Sequence, residues 1–244
     1  MFMIIPVMEG ARADSGVSVT EAIKESILKL GADVVGVGDI TNATGRGGLP
    51  EELKHYTRVI SLAAAVEKSA SNGSMESYMF ECEAAVKKLD GALQETARRI
   101  KRRGYRYLLF PPVEKSIKKR FISALYRLFP HRTAATSAGL GWIGKSGLLL
   151  NHEYGPRLVW ATILTDMPLE AAAPQAKSMC ADCDACITAC PAKAIKGVLW
   201  DRGMENRPMI DMSACSEQMI KLSSQYGRPV CGACLEACSQ KLTR

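Results

Sequence analysis

Apolar residues recur in two rhythms along the first two thirds of the chain. Val19, Ile23, Ile27 and Leu30 repeat at helical spacing behind the capping box Ser18-x-x-Glu21, and the pattern stops at Gly31. A longer stripe of Met75, Met79, Cys82, Val86, Leu89, Leu93 and Ile100 predicts a second helix that ends at Gly104. Ile117, Phe121, Leu125 and Leu128 predict a third, closed before Pro130. Short apolar runs at 33–40, 59–66, 105–110, 148–150 and 158–164 predict strands. Pro111 and Pro112 stop the third of these runs, and 151–157 forms the turn between the last two. Residues 42–50 form a glycine-rich loop. This alternation predicts an α+β protein whose N-terminal α/β-type domain, residues 1–169, is built on a mixed sheet. The alanine-rich stretch 170–177 forms a linker, and the cysteine-rich remainder, 170–244 with that linker, is a second, ferredoxin-like domain.

With 47% hydrophobic and 23% charged residues in 244, the chain has an ordinary globular composition, which excludes disordered, fibrous and collagen-like classes. No apolar run approaches the roughly 18 residues of a membrane span. The apolar stretch 2–7 is short, and it lacks a basic leader and a small-residue cleavage site. A soluble, cytoplasmic protein without a membrane partner is expected.

The cysteines are lopsided: Cys82 stands alone in the second helical stripe as a small core hydrophobe, and the other eight fall between Cys180 and Cys238. In a cytoplasmic-looking chain such density means metal more often than disulfides. Cys180-x2-Cys183-x2-Cys186-x3-Cys190-Pro191 is the run by which bacterial ferredoxins hold [4Fe–4S] clusters, and Cys215, Cys231-x2-Cys234-x3-Cys238 follows. In such a run three thiolates wrap one cluster while the fourth reaches the other. Cys180, Cys183, Cys186 and Cys238 would then hold one cluster, and Cys190, Cys215, Cys231 and Cys234 the other. Ser239 stands where a proline usually follows the second run, so that half is looser. Two structural zinc sites are the alternative, although they rarely show this spacing. The formal charge of +7 counts every thiol as neutral. Two oxidised clusters at −2 each would bring it to about +3, too little to demand nucleic acid or an acidic partner.

Arg98, Arg99, Lys101, Arg102 and Arg103, with Lys115, Lys118, Lys119 and Arg120, form a docking surface for RNA or an acidic electron donor, or simply the solvated faces of two helices. The second reading is favoured, because no aromatic interleaving accompanies the charge. His55, His131 and His152 have no spacing that makes a metal triad.

Gly139-Leu140-Gly141-Trp142-Ile143-Gly144-Lys145-Ser146 satisfies both GxGxxG and GxxxxGK[ST]. Both motifs should follow a buried strand, whereas the preceding stretch from His131 to Ala138 is small, polar and helix-permissive. A third reading is that the glycines let the backbone approach a flat cofactor, with Trp142 beside it and Lys145 on a polar edge.

The run from Ala138 to Lys145, then Leu164-Thr165-Asp166, then the eight cysteines, resembles the epoxyqueuosine reductase family and its shorter double-cluster relatives. The resemblance is close from about Ala134 to Cys238 and faint before it. It implies two [4Fe–4S] clusters wired to a corrinoid (cobalamin) held base-off against the N-terminal domain. Electrons would come from a reduced ferredoxin or flavodoxin-type carrier, the loop Gly139–Lys145 would line the corrinoid pocket, and tRNA is the partner of the modifying enzymes. Those enzymes resemble one another in a proton-donating aspartate within an Asp-x-x-Pro segment. Here neither Phe110-Pro-Pro-Val-Glu114 nor the stretch around Leu125 offers one, and Glu114 is a weak substitute. The sequence up to Arg244 contains no helical-repeat tail of the kind many members use for tRNA. The short relative therefore fits better, as an oxidoreductase with an unnamed acceptor, and a non-enzymatic ferredoxin-type carrier with a docking domain is its rival.

Overall fold

The computed structural model describes residues 18–41, 49–66, 75–112, 129–203, 208–227 and 229–242. The stretch 2–7, most of the loop 42–50, the helix expected from Ile117 to Leu128, Glu114 and the basic group Lys115, Lys118, Lys119 and Arg120 lie outside these residues.

Ser18 starts helix α1 (Val19–Lys29), its hydroxyl accepting the Glu21 N–H at 3.3 Å. The Glu21 carboxylate turns to Lys24 at 2.8 Å, so the capping box is used from one side. Ile23 and Ile27 are buried, whereas Val19 stays half exposed. Helix α2 (Met75–Arg102) carries the long stripe: Leu89, Leu93 and Ile100 are fully buried, each contributing about 1.5–3 kcal/mol of burial, and Cys82 is buried among them.

Among the described residues, six strands occur in chain order: β1 (Val34–Asp39), β2 (Arg58–Ala65), β3 (Tyr107–Phe110), β4 (Trp142–Ile143), β5 (Leu149–Leu150) and β6 (Leu158–Thr165). Four of them form one sheet in the order β1-β2-β6-β3. Every neighbouring pair is antiparallel, which corrects the mixed sheet expected from the sequence. The central pair β2 and β6 runs in register from Arg58↔Thr165 to Ala65↔Leu158. Both strands are buried on both faces, so they show the unbroken apolar runs usual for parallel strands. Ile60, Leu62, Ala161 and Ile163 meet α1 and α2 on one face. Val59, Ala63, Trp160 and Leu164 meet helix α3 (His131–Ser137) and its surroundings on the other.

The short strands β4 and β5 pair with each other, Trp142↔Leu150 and Ile143↔Leu149, around the end of the glycine loop. The turn after β5 closes when Asn151 and Gly155 exchange backbone hydrogen bonds of 2.9 and 3.0 Å. The alanine-rich stretch is tied down: Ala172 N–H donates to the Val37 carbonyl on β1, and Gln175 N–H to the Thr136 carbonyl on α3, both at 2.8 Å. Among the described residues four helices follow, α4 (Ala185–Thr188), α5 (Met212–Lys221), α6 (Ser223–Tyr226) and α7 (Ala233–Leu242), with α4 packed on α7. Among the described residues, no helix is long and apolar enough to cross a membrane.

Candidate metal centre

The packing of α4 on α7 gathers the thiols. Cys186 lies in α4 and is buried, with Cys180 and Cys183 in the loop before it and Cys190 just after. Cys234 and Cys238 sit one turn apart on α7, so they share a face, and Cys231 precedes that helix. Cys215 lies in the first turn of α5, whose start is fixed by Asp211 accepting from the Ser213 and Ala214 N–H groups at 3.1 Å each. None of the nine cysteines is in a disulfide, and Cys183 is exposed.

The thiols act on one another electrically. Cys238 is pushed up to about 12, first by burial and then by Cys180, Cys186, Cys183 and Cys234. Cys186 is raised by burial and then by Cys180 and Cys183. Cys234 is pushed up to about 11 by burial, then by Cys231, Cys186 and Cys215. Cys215 is raised by burial, then by Cys190 and Cys231. The neighbours thus fall into two groups, Cys180, Cys183, Cys186 and Cys238, and Cys190, Cys215, Cys231 and Cys234, which touch at Cys186, Cys234 and Cys238. Among the described residues, no three His, Cys, Asp or Glu side chains converge as ligands of a single ion. A cubane asks something different of its ligands, since each thiolate binds its own iron.

The backbone around the two groups repeats itself. Ala181 (φ 42) and Gly232 (φ 75) each follow the first cysteine of a Cys-x-x-Cys turn in the left-handed region. Lys193 (φ 50) does the same after Cys190-Pro191-Ala192, where the Ala194 N–H donates to Cys190 Sγ at 3.3 Å. A non-glycine residue in this region costs about 1–2 kcal/mol, so the surrounding packing must hold it.

The glycine loop lies against the first thiol group. Gly139 sits at φ +68, and a Cβ there would come 2.6 Å from the Ala173 carbonyl oxygen. A Cβ on Gly141 would overlap the Leu150 carbonyl oxygen. One on Gly144 would lie 2.6 Å from Leu150 Cδ1 and 3.4 Å from Cys180 Sγ. From Gly141 to Ser146 the loop is buried, and only Gly139 and Leu140 keep appreciable exposure. Leu140 packs beside Ala63 and Trp160. Trp142 is buried with its ring 4.9 Å from that of His152, and its Nε1 finds no hydrogen-bond partner among the described residues. Ile143 is buried in β4. Lys145 is 7% exposed, and its Nζ donates to Asp184 Oδ1 at 2.6 Å. That bond comes first among the causes holding the ammonium above the ordinary lysine range, with burial opposing it. Helix α3 precedes the loop and a hairpin follows it, so the strand–loop–helix context of both nucleotide motifs is missing.

The remaining candidates are dispersed. His131 is buried, with Nδ1 2.8 Å from Thr162 Oγ1 and Nε2 3.2 Å from the Pro111 carbonyl oxygen. The His55 ring packs tilted against that of Tyr56, their centres 4.1 Å apart. Arg98, Arg99 and Arg102 converge on Glu95 at 3.1, 3.1 and 3.3 Å, which spends part of the basic cluster. Lys101 and Arg103 remain exposed.

Three residues that the sequence left unmarked order the thiol region, two of them by tying it to the preceding domain. Asp184 holds Lys145, and Asp211 caps the helix of Cys215. Arg202 donates from Nη2 to Ser137 Oγ at 3.0 Å and from its N–H to the Ala176 carbonyl at 2.7 Å. Asp211 carried a legible signal, an aspartate just before a helical stretch. The partners of Asp184 and Arg202 lie 39 and 65 residues away, and no local pattern points to them.

No protein-family model matches the chain. A 62-residue stretch is 50% identical to the epoxyqueuosine reductase of Synechococcus sp. (strain CC9605), covering 25% of this chain and 19% of that protein. A longer alignment with the epoxyqueuosine reductase of Cyclobacterium marinum is 26% identical over 204 residues, 72% of this chain and 63% of that protein. Among solved structures, an epoxyqueuosine reductase superposes with a TM-score of 0.55 at 18% identity, over 89% of this chain and 64% of its own. One solved with an epoxyqueuosine-modified tRNA stem loop gives 0.56 at 16% identity over the same shares. A reductive dehalogenase, described in connection with B12-dependent dehalogenation, gives 0.67 at 21% identity over 96% of this chain and 33% of its own. The matched stretches thus span from about a fifth to just under two thirds of these relatives' lengths. At such identities the structural likenesses establish a shared fold. Local identity, a fainter alignment through most of the sequence and a shared fold together make the chain similar to the epoxyqueuosine reductases.

Proposed function

We propose that this protein is an iron–sulfur oxidoreductase that passes low-potential electrons through two [4Fe–4S] clusters to a substrate or a corrinoid at its N-terminal domain. The observation that carries the reading is the eight-cysteine pattern, whose two spacing-derived sets agree with most of the neighbours that raise Cys186, Cys215, Cys234 and Cys238. Residues 1–169 serve as the acceptor domain and 170–244 as the cluster domain. Cys180, Cys183, Cys186 and Cys238 hold the first cluster, and Cys190, Cys215, Cys231 and Cys234 the second. The donor set fits: buried thiols resist ionisation when alone, and iron favours the thiolate.

Each residue then has a defined task. The α4–α7 contact withdraws Cys186, Cys234 and Cys238 from water. Ala194 N–H steadies the Cys190 sulfur, and Asp211 fixes the helix turn that presents Cys215. Gly144 lets the N-terminal domain approach Cys180, which puts the first cluster on the side of the acceptor. A corrinoid, when bound, supplies a cobalt centre that takes up electrons. Residues 141–145 do not fit as its wall, because the chain's own backbone and the first thiol group fill the space beside them.

The fitting donor is a reduced ferredoxin or flavodoxin-type carrier in the cytoplasm, where thiols stay reduced. A tRNA is the acceptor suggested by the relative solved with a stem loop, and Lys101 and Arg103 are exposed basic contacts for it.

The test is the iron, sulfide and cobalt content of anaerobically purified protein, before and after adding cobalamin. About eight irons are expected; four or fewer, or zinc in their place, overturns the ligand assignment. Stoichiometric corrinoid reduced through the clusters supports the reductase. Eight irons without corrinoid or a reducible substrate would leave a ferredoxin-type carrier.

A further inference from the structure

We infer that the Lys145–Asp184 ion pair sets the reduction potential of the first cluster, Lys145 raising it and Asp184 lowering it. The inference rests on the proposed ligand assignment. Its geometry stands in the chain itself. Lys145 belongs to the glycine loop and Asp184 to the Cys183-Asp-Ala-Cys186 segment, and their charged atoms meet at 2.6 Å. The loop's Gly144 abuts Cys180, so the pair lies where the N-terminal domain meets the first thiol group. Cys180 and Cys183 are both near enough to act on the ammonium.

The two charges are unequally screened. The Lys145 side chain is 8% exposed and that of Asp184 59%, so water weakens the carboxylate's field far more than the ammonium's. The net field on the first thiol group is therefore positive. Reduction adds an electron to a cluster, and a fixed cation beside it favours the reduced form. The second group, held by Cys190, Cys215, Cys231 and Cys234, lies beside a different ion pair, Lys196–Asp211 at 3.8 Å, which these substitutions leave in place, so it supplies an internal reference.

The test is an EPR-monitored redox titration of the iron-loaded protein, wild type against Lys145→Met, Asp184→Asn and the double variant. Lys145→Met is expected to shift the oxidised-to-reduced ratio of one cluster about tenfold toward oxidised at a fixed potential, which is 59 mV for a one-electron step. Asp184→Asn should shift the same cluster the other way by a smaller factor, about threefold given its exposure. The double variant should fall back toward wild type, and the other cluster should not move. Asp184 is exposed, so its variant remains readable if Lys145→Met does not fold. Potentials unmoved in Asp184→Asn, shifts of the same sign in both variants, or equal shifts of both clusters would overturn the inference, because a merely structural pair predicts lost stability without opposed potentials. A wild type without two clusters overturns the ligand assignment instead, and the iron content measured beforehand separates the two failures.

Discussion

His131 links the polar interior of the sheet to a measurable pH dependence. It opens α3 with 8% of its surface exposed, between Thr162 on β6 and the Pro111 carbonyl. The carbonyl can only accept, so Nε2 carries the hydrogen, and Nδ1 of the neutral ring accepts from the Thr162 hydroxyl. Burial disfavours the imidazolium and lowers the pKa from 6.5 to about 4, with the Pro111 hydrogen bond opposing. Between those values the unfolded chain binds more protons than the folded one. The stability contributed by the neutral ring is thus complete above pH 6.5 and is lost as pH falls toward 4. At 1.36 kcal/mol per pKa unit, the loss between about pH 7.5 and about pH 5 comes to about 2 kcal/mol. The assay is denaturant unfolding of wild type and His131→Gln across that range under identical anaerobic conditions, so that other titrating groups and any cluster contribution cancel in the difference. The variant starts less stable but should lose about 2 kcal/mol less on acidification. Parallel profiles would refute the reasoning, as would an imidazole titration by NMR near the ordinary histidine value.

Two glycines should respond in opposite directions. Gly91 lies mid-helix in α2 with nothing within 4 Å of an added Cβ, so Gly91→Ala should stabilise by about 0.5–1 kcal/mol. Gly141→Ala must displace the Leu150 carbonyl and should destabilise by about 1–3 kcal/mol; chemical unfolding measures both, and equal effects would contradict the packing described. Asp211→Ala removes the cap of the helix carrying Cys215 and should cost about 1 kcal/mol. Iron content should fall with it, and unchanged iron and stability together would remove Asp211 from the site.

Helices α1 and α2 and the apolar runs of β1, β2 and β6 were legible because their signals are local. A 3.6-residue stripe, or a short apolar run between turn residues, is written within a dozen positions. The cysteine run was legible for the same reason, since its spacing is written within one short segment. Strand direction was not legible. Both faces of β2 and β6 are covered, so the alternation that marks an antiparallel strand is erased, and β6 enters between β2 and β3 across some ninety residues of chain. The glycines of the loop announced close approach without naming what approaches, which turned out to be Leu150, Ala173 and Cys180. Lys145 is the plainest case. Its motif suggested a phosphate or a cofactor edge, yet in the fold it meets Asp184, brought from 39 residues away by the docking of the thiol segment on the loop. Local periodicity and ligand spacing depend on neighbours along the chain, whereas strand order, glycine contacts and ion-pair partners depend on which distant surfaces exclude water together.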